Sequence, residues 1–277
     1  MTDESRDPAS YGALLADEYD AIYGDVFDTE GAVDQLTRLA GGGRVLEFGV
    51  GTGRIAIPLA ERGLDVWGVD GSQDMLRILK EKPGGDKVTP LCGDFATTTA
   101  EGRFDLVVLL INTIYAMGSQ QGQIECFENA ARHLAPGGRF VVEAWVPDPP
   151  RGDALGLKAR RLGRGFAGLV IEDHDAARQL LATTQIVIDG TGRTRSFPLV
   201  HRYAWPSELD LMARLAGMTL EHRWSDWHGH PFDARSTDHV SVWQSLPALN
   251  GDREASEAQG AHSGQGEVGE LLKWVNR

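Results

Sequence analysis

The chain has 277 residues, 42% of them apolar, enough to bury a full core as one large domain or a domain with an insertion. A net charge of −13 argues against nucleic acid or an anionic membrane as partner. No stretch approaches the ~18 apolar residues of a membrane span, and the first residues are polar and mixed in charge, so the expected setting is the cytoplasm. Cys92 and Cys126 lie in otherwise apolar stretches and read as small core residues of a reducing compartment.

In chain order, Tyr11 to Ala40 reads as helical and ends at Gly41-Gly42-Gly43. Val45–Phe48 is the first strand, followed by a tight turn with glycine at 49, 51 and 53 and a helix over Ile55–Arg62. Asp65–Val69 is a second strand, and Ser72 caps a helix over Gln73–Glu81. Val88–Cys92 and Leu106–Ile111 are further strands. Ile124–Leu134 is a helix stopped by Pro136-Gly137-Gly138, and Arg139–Trp145 is a fifth strand. From Arg151 the pattern changes to three β-like runs, Gly168–Glu172, Leu180–Ile188 and Thr194–Tyr203. Asp189-Gly190-Thr191-Gly192 is a hairpin signal between the last two. A helix beginning at Pro206 and two strands, Thr219–Asp226 and His239–Gln244, complete the pattern.

The expected fold is α/β: a doubly wound, mostly parallel, seven-stranded Rossmann-like sheet with an antiparallel β insertion after strand five. Its expected organisation is an N-terminal helical cap (1–40), a cofactor-binding α/β domain (41–150 and 204–246), a β insertion on the substrate side (151–203) and a disordered tail (247–277).

In such a sheet ligands bind beyond the carboxyl ends of the strands. Glycine in the turn after strand one lets backbone lie flush against a ligand, and the helix behind it offers free N–H groups. Asp70, seventeen residues beyond Gly53, is placed to accept both hydrogen bonds of a ribose diol. Gly93-Asp94-Phe95 offers an acid and an aromatic face for adenine, and Asn112-Thr113-Ile114-Tyr115 puts polar groups at the reaction mouth. These residues describe an adenosine-containing ligand.

Glu47-Phe48-Gly49-Val50-Gly51-Thr52-Gly53 resembles the first motif of class I S-adenosylmethionine-dependent methyltransferases. Asp70, Gly93-Asp94, Phe104-Asp105 and Leu134-Ala135-Pro136-Gly137-Gly138 fall where that family has its later motifs. The resemblance covers Tyr11 to Trp145. Tyr19-Asp20-Ala21-Ile22-Tyr23 and Glu143-Ala144-Trp145 are similar to small-molecule members, the amino-sugar N,N-dimethyltransferases and glycine-type N-methyltransferases. It implies S-adenosylmethionine as cofactor, held by Tyr19, Glu47, Gly49, Gly51, Gly53, Asp70, Gly71, Met75, Asp94, Phe95 and Asn112. It also implies in-line methyl transfer to a nitrogen or oxygen of a small molecule of bacterial secondary metabolism, with a homodimer as the candidate assembly.

A hydroxyl acceptor needs a base, for which His201, Glu143 and Tyr23 are the candidates, whereas an amine needs little beyond desolvation and orientation. Trp145, Tyr203, Trp205 and Trp227 are candidates for wrapping the acceptor. His133 is expected to stabilise a helix C-terminus, and His228-Gly229-His230 reads as a polar loop. A nicotinamide-dependent oxidoreductase on this fold would prefer Gly-x-Gly-x-x-Gly in the turn after the first strand, where the third glycine here falls one residue early, and a Tyr-x-x-x-Lys pair, which does not appear. A cofactor-binding protein repurposed for a non-methylating role would retain the same motifs.

Overall fold

A computed structural model describes residues 16–24, 26–149, 156–162 and 165–246. The apolar runs form strands β1 (Arg44–Phe48), β2 (Asp65–Asp70), β3 (Val88–Cys92), β4 (Phe104–Leu109) and β5 (Leu134–Trp145). Helices α1 (Tyr19–Tyr23), α2 (Thr29–Ala40), α3 (Ala56–Glu61), α4 (Gln73–Glu81), α5 (Gln120–His133) and α6 (Pro206–Leu215) flank them. Beyond β5 come β6 (Gly156–Arg161), β7 (Phe166–Asp175), β8 (Leu180–Asp189) and β9 (Thr194–Arg202); β10 (Met218–Trp224) and β11 (Asp238–Ser245) follow α6.

The main sheet has seven strands in the order β10-β11-β5-β4-β1-β2-β3, with β11 antiparallel to both neighbours. The order reverses between β1 and β4, which opens the crevice where such sheets take ligands. Its strands are apolar on both faces because helices cover both: Leu46, Phe48, Phe104 and Phe140 pack on one side, Val45, Val66, Leu106 and Val108 on the other. A separate four-stranded antiparallel sheet, β6-β7-β8-β9, is the expected insertion. Among the described residues no helix is long and apolar enough to cross a membrane. The tail expected over 247–277 lies outside the described residues, as do the first fifteen.

Several local expectations are corrected. The helix expected over Tyr11–Ala40 is broken: α1 ends at Gly24, and Asp28 caps α2 by accepting the Gly31 N–H at 3.0 Å. α2 packs in the main core through Val33 and Leu36. Pro136-Gly137-Gly138 does not precede β5 but lies within it, at a register shift against β4, with Gly137 at φ 77°. The insertion has four strands, β6 being unforeseen. Cys92 is exposed and only Cys126 is buried. His133 is not a charged helix end: it lies in the core against Phe48 and Phe104, accepts the Ala100 N–H at Nε2 (2.9 Å) and donates from Nδ1 to the Asn129 carbonyl. Burial lowers its pKa, so the ring is neutral.

The two sheets are joined by a buried polar knot. The Arg202 guanidinium donates to Gln123 Oε1 (2.5 Å), Gln179 Oε1 (3.1 Å) and Glu208 Oε1 (2.6 Å). Gln123 returns a bond to the Arg202 carbonyl at 2.7 Å, and Gln179 donates to Glu208 at 2.9 Å. β9, α5 and α6 thus meet at one satisfied charge. Breaking a buried pair strands the partner, so Arg202→Met should cost ~3 kcal/mol in chemical denaturation; an unchanged midpoint would show the knot to be unimportant.

Candidate active site

The turn after β1 runs through Gly49 (φ 69°), Gly51 (φ 53°) and Gly53 (φ 83°). The N–H groups of Gly49 and Val50 donate to the Val69 carbonyl at 2.8 and 3.1 Å, fixing the turn to the end of β2. A Cβ at Gly49 would lie 3.0 Å from Thr113 Cγ2, whereas at Gly51 it would meet nothing within 4 Å. Gly51 therefore presents bare backbone to open space, as a ligand-facing turn requires. The helix behind the turn offers less than expected, since its first N–H, on Ala56, is given to Glu47.

Asp70 stands beside the turn and holds it. One carboxylate oxygen accepts the Gly51 N–H and the other the Ser72 N–H, each at 2.8 Å. Burial pushes its pKa up against those two bonds. Gly71 is exposed, while Met75 is buried and receives the Ser72 cap. Asp94 is exposed and caps its own turn through Ala96 N–H at 2.7 Å; the Phe95 ring stacks on Phe48 at 6.0 Å.

Glu47 is 5% exposed, and its Oε2 has no partner. Burial pushes its pKa up to about 8, against the attraction of Arg54. The same arginine faces Tyr19, whose hydroxyl burial pushes to about 12, and donates to Thr29 Oγ1 at 2.7 Å. Arg54 went unassigned in the sequence because it follows the glycine motif without belonging to it. α1 roofs this region: Asp20 accepts the Thr52 hydroxyl at 2.7 Å and pairs with Lys82 at 2.5 Å, while the Tyr23 hydroxyl donates to Gln185 of β8 at 2.8 Å.

At the carboxyl ends of β4 and β5 the backbone is strained. Ile111 (φ 50°) and Asn112 (φ 61°) are both left-handed, a conformation that β-branched residues rarely adopt. Glu143 holds Ile111 by accepting its N–H at 3.1 Å, and its other oxygen takes the Trp227 indole at 2.7 Å. Burial raises the Glu143 pKa against these bonds. Asn112 accepts the Trp145 N–H through its side chain at 2.7 Å. Both residues thus have positioning contacts.

The four candidate aromatics do not form one cage. Trp145 packs against Tyr115 and Tyr203 at this mouth, Trp227 is buried against Glu143, and Trp205 is exposed. His228 and His230 face Asp28 and Asp226 in a surface loop. His201 lies on the inner face of the antiparallel sheet, opposite Leu181, and burial together with Arg160 lowers its pKa to about 4. The sequence missed its neighbours on that face, Glu172, His174 and Thr183. Their signal was polar residues at alternate positions of otherwise apolar strands, readable only once the strands' inward face is known.

Glu47 has a testable consequence. Its folded pKa exceeds its unfolded value, so its contribution to stability is present below pH ~4.5 and is lost as pH rises toward 8. In ligand-free protein, Glu47→Gln should therefore gain on wild type by at least ~1 kcal/mol between pH 5 and pH 8, measured by denaturation. A gap independent of pH would contradict the burial of an unpaired carboxyl.

Residues 45–138 match the family model described as a methyltransferase domain. The cypemycin N-terminal methyltransferase of a Streptomyces species is 31% identical over 85% of this chain and 98% of its own length. The CcbJ methyltransferase of Streptomyces caelestis is 39% identical with a TM-score of 0.78, covering 87% of this chain and 99% of that one. A sugar N-methyltransferase, KedS8 from a Streptoalloteichus species, has a TM-score of 0.59 over 79% of this chain and 89% of that one; at 21% identity it attests the fold alone. Similarity that runs through both sheets and across nearly the whole length of a relative settles membership: the chain belongs to the class I S-adenosylmethionine-dependent methyltransferases.

Proposed function

We propose that the protein works in the cytoplasm, methylating an amine nitrogen of a small molecule in bacterial secondary metabolism. The observation carrying this reading is that none of the three candidate bases is available as one. Both Glu143 oxygens are hydrogen-bonded, the Tyr23 hydroxyl is given to Gln185, and His201 is a weak base in its buried setting. A hydroxyl acceptor would need such a base near neutral pH, whereas an amine presents a lone pair once desolvated. The cypemycin relative, named for an N-terminal methylation, supports nitrogen as acceptor.

The residues present fit the cofactor. The unpartnered Glu47 Oε2 suits an ammonium group, Gly51 leaves room at the turn, and Asp70, bonded to that turn, would accept from the ribose diol. Asp94 and Phe95 would bound the adenine, with Tyr19 beside Arg54 closing the pocket. When bound, S-adenosylmethionine supplies a sulfonium-activated methyl group for in-line displacement. The chain's share of catalysis is to admit the acceptor as the neutral amine, its ammonium proton lost to bulk water before entry, to align the nitrogen and to exclude water beneath α1, an alignment effect that can reach ~7 kcal/mol.

Calorimetry should show S-adenosylmethionine binding, weakened more than about tenfold in Asp70→Ala, a loss of ~1.4 kcal/mol or more. A screen of amine and hydroxyl metabolites with methyl-labelled cofactor should label amines; labelling of hydroxyl acceptors alone would overturn the nitrogen reading, and cofactor binding without any transfer would favour a non-methylating role. Tyr23→Phe should keep amine turnover within about tenfold, where loss of a true general base costs ~10²–10⁴.

A further inference from the structure

The inner face of the antiparallel sheet carries an unusual burden. Glu172 and Thr183 are cross-strand partners, as are His174 and Leu181, and Leu181 and His201, so all four polar residues project from one face. Glu172 and Thr183 are buried. Of the five buried side-chain atoms without a partner among the described residues, three are here: His174 Nδ1, Thr183 Oγ1 and His201 Nδ1. Each costs the folded protein the desolvation of a polar group, and in a native structure such a concentration calls for a ligand. The Glu172 carboxylate has a partner, the Lys158 ammonium at 2.7 Å, but that lysine side chain is 61% exposed and reaches in from solvent.

The cluster faces the reaction mouth. The His174 ring lies 6.4 Å from Tyr203, which is 6.0 Å from Trp145, the residue tied to Asn112 at the end of β5. Farther along the same face, Gln185 receives the Tyr23 hydroxyl of α1. The unpaired atoms therefore stand between the roof of the pocket and the carboxyl ends of β4 and β5.

We propose that Glu172, His174, Thr183 and His201 bind the polar groups of the methyl acceptor and select an amine that carries hydroxyl groups on its frame. This rests on the amine reading above. The carboxylate releases Lys158 and accepts from one hydroxyl of the incoming molecule, and the Thr183 hydroxyl and the imidazole nitrogens pair with its other hydroxyls, which leaves the amine nitrogen free to react. An apolar amine of equal size would leave those groups unpaired, the situation that gives the strongest discrimination.

Two measurements test this. In thermal unfolding without ligand, Thr183→Val should raise the midpoint by about 2–4 °C, because it removes an unpaired buried hydroxyl at constant shape. A fall would make the hydroxyl structural and overturn the proposal. With labelled cofactor, glucosamine and cyclohexylamine serve as ring-matched probes. The wild type should methylate glucosamine at least about tenfold faster, and Glu172→Gln and Thr183→Val should erase that preference while calorimetry shows cofactor binding unchanged. Equal rates on the two probes would overturn the polar anchor and leave the amine reading standing. Transfer to neither probe would overturn the hydroxylated class, with the amine reading judged by the wider screen. Transfer to hydroxyl acceptors alone would overturn both.

Discussion

A guanidinium cannot leave water without acceptors around it, and Arg202 meets that condition where the two sheets join. The requirement draws Gln123 from α5, Gln179 from the β7–β8 turn and Glu208 from α6 to one point. Burial alone would raise the Glu208 pKa, but hydrogen bonds from Gln179, Arg202 and Gln120 outweigh it and keep the carboxylate charged. Tyr115 extends the joint by hydrogen-bonding through its hydroxyl to the carbonyls of Trp145 and Ala204 at 2.9 and 3.0 Å. Everything proposed for the inner face of the second sheet depends on this joint, since it holds β9 against the ends of β4 and β5.

Charge is arranged in the pocket at a cost to the ligand-free protein. Glu47, Asp70 and Glu143 are all buried enough to have their pKa raised, and Arg54 acts on both Glu47 and Glu143. Asp70 and Glu143 offset that cost by fixing backbone, Asp70 at Gly51 and Glu143 at the strained Ile111. Glu47 leaves one oxygen unpaired. Sites that give up stability in this way do so where a ligand later supplies the missing partner.

The parts legible in the sequence were those whose geometry is fixed over short chain distances. The spacing of Gly49, Gly51 and Gly53, the Ser72 cap and the Asp189–Gly192 hairpin each follow from a few adjacent residues. The break between α1 and α2 was hidden because Asp28 and the residues before it sit in an otherwise helix-compatible run. β6 was hidden because its lysine and arginines mask a period-2 pattern. Glu172 and Thr183 could not be paired without the register of β7 against β8, which long-range packing sets. His133 was misread for a similar reason: its helix-end position is visible in sequence, but the Ala100 N–H that makes it an acceptor is not.

The four-stranded sheet is one uninterrupted stretch of chain, leaving after β5 and returning just before α6. The glycine turn, Asp70 and Glu47 all precede it. The residues proposed for the donor and for the acceptor are thus separate in sequence. Under the acceptor assignment proposed above, replacing Glu172, His174, Thr183 or His201 would change which molecule is received while leaving the bonds of Asp70 and Val69 to the turn in place. Such an arrangement lets a lineage diversify its products while its source of methyl groups stays constant.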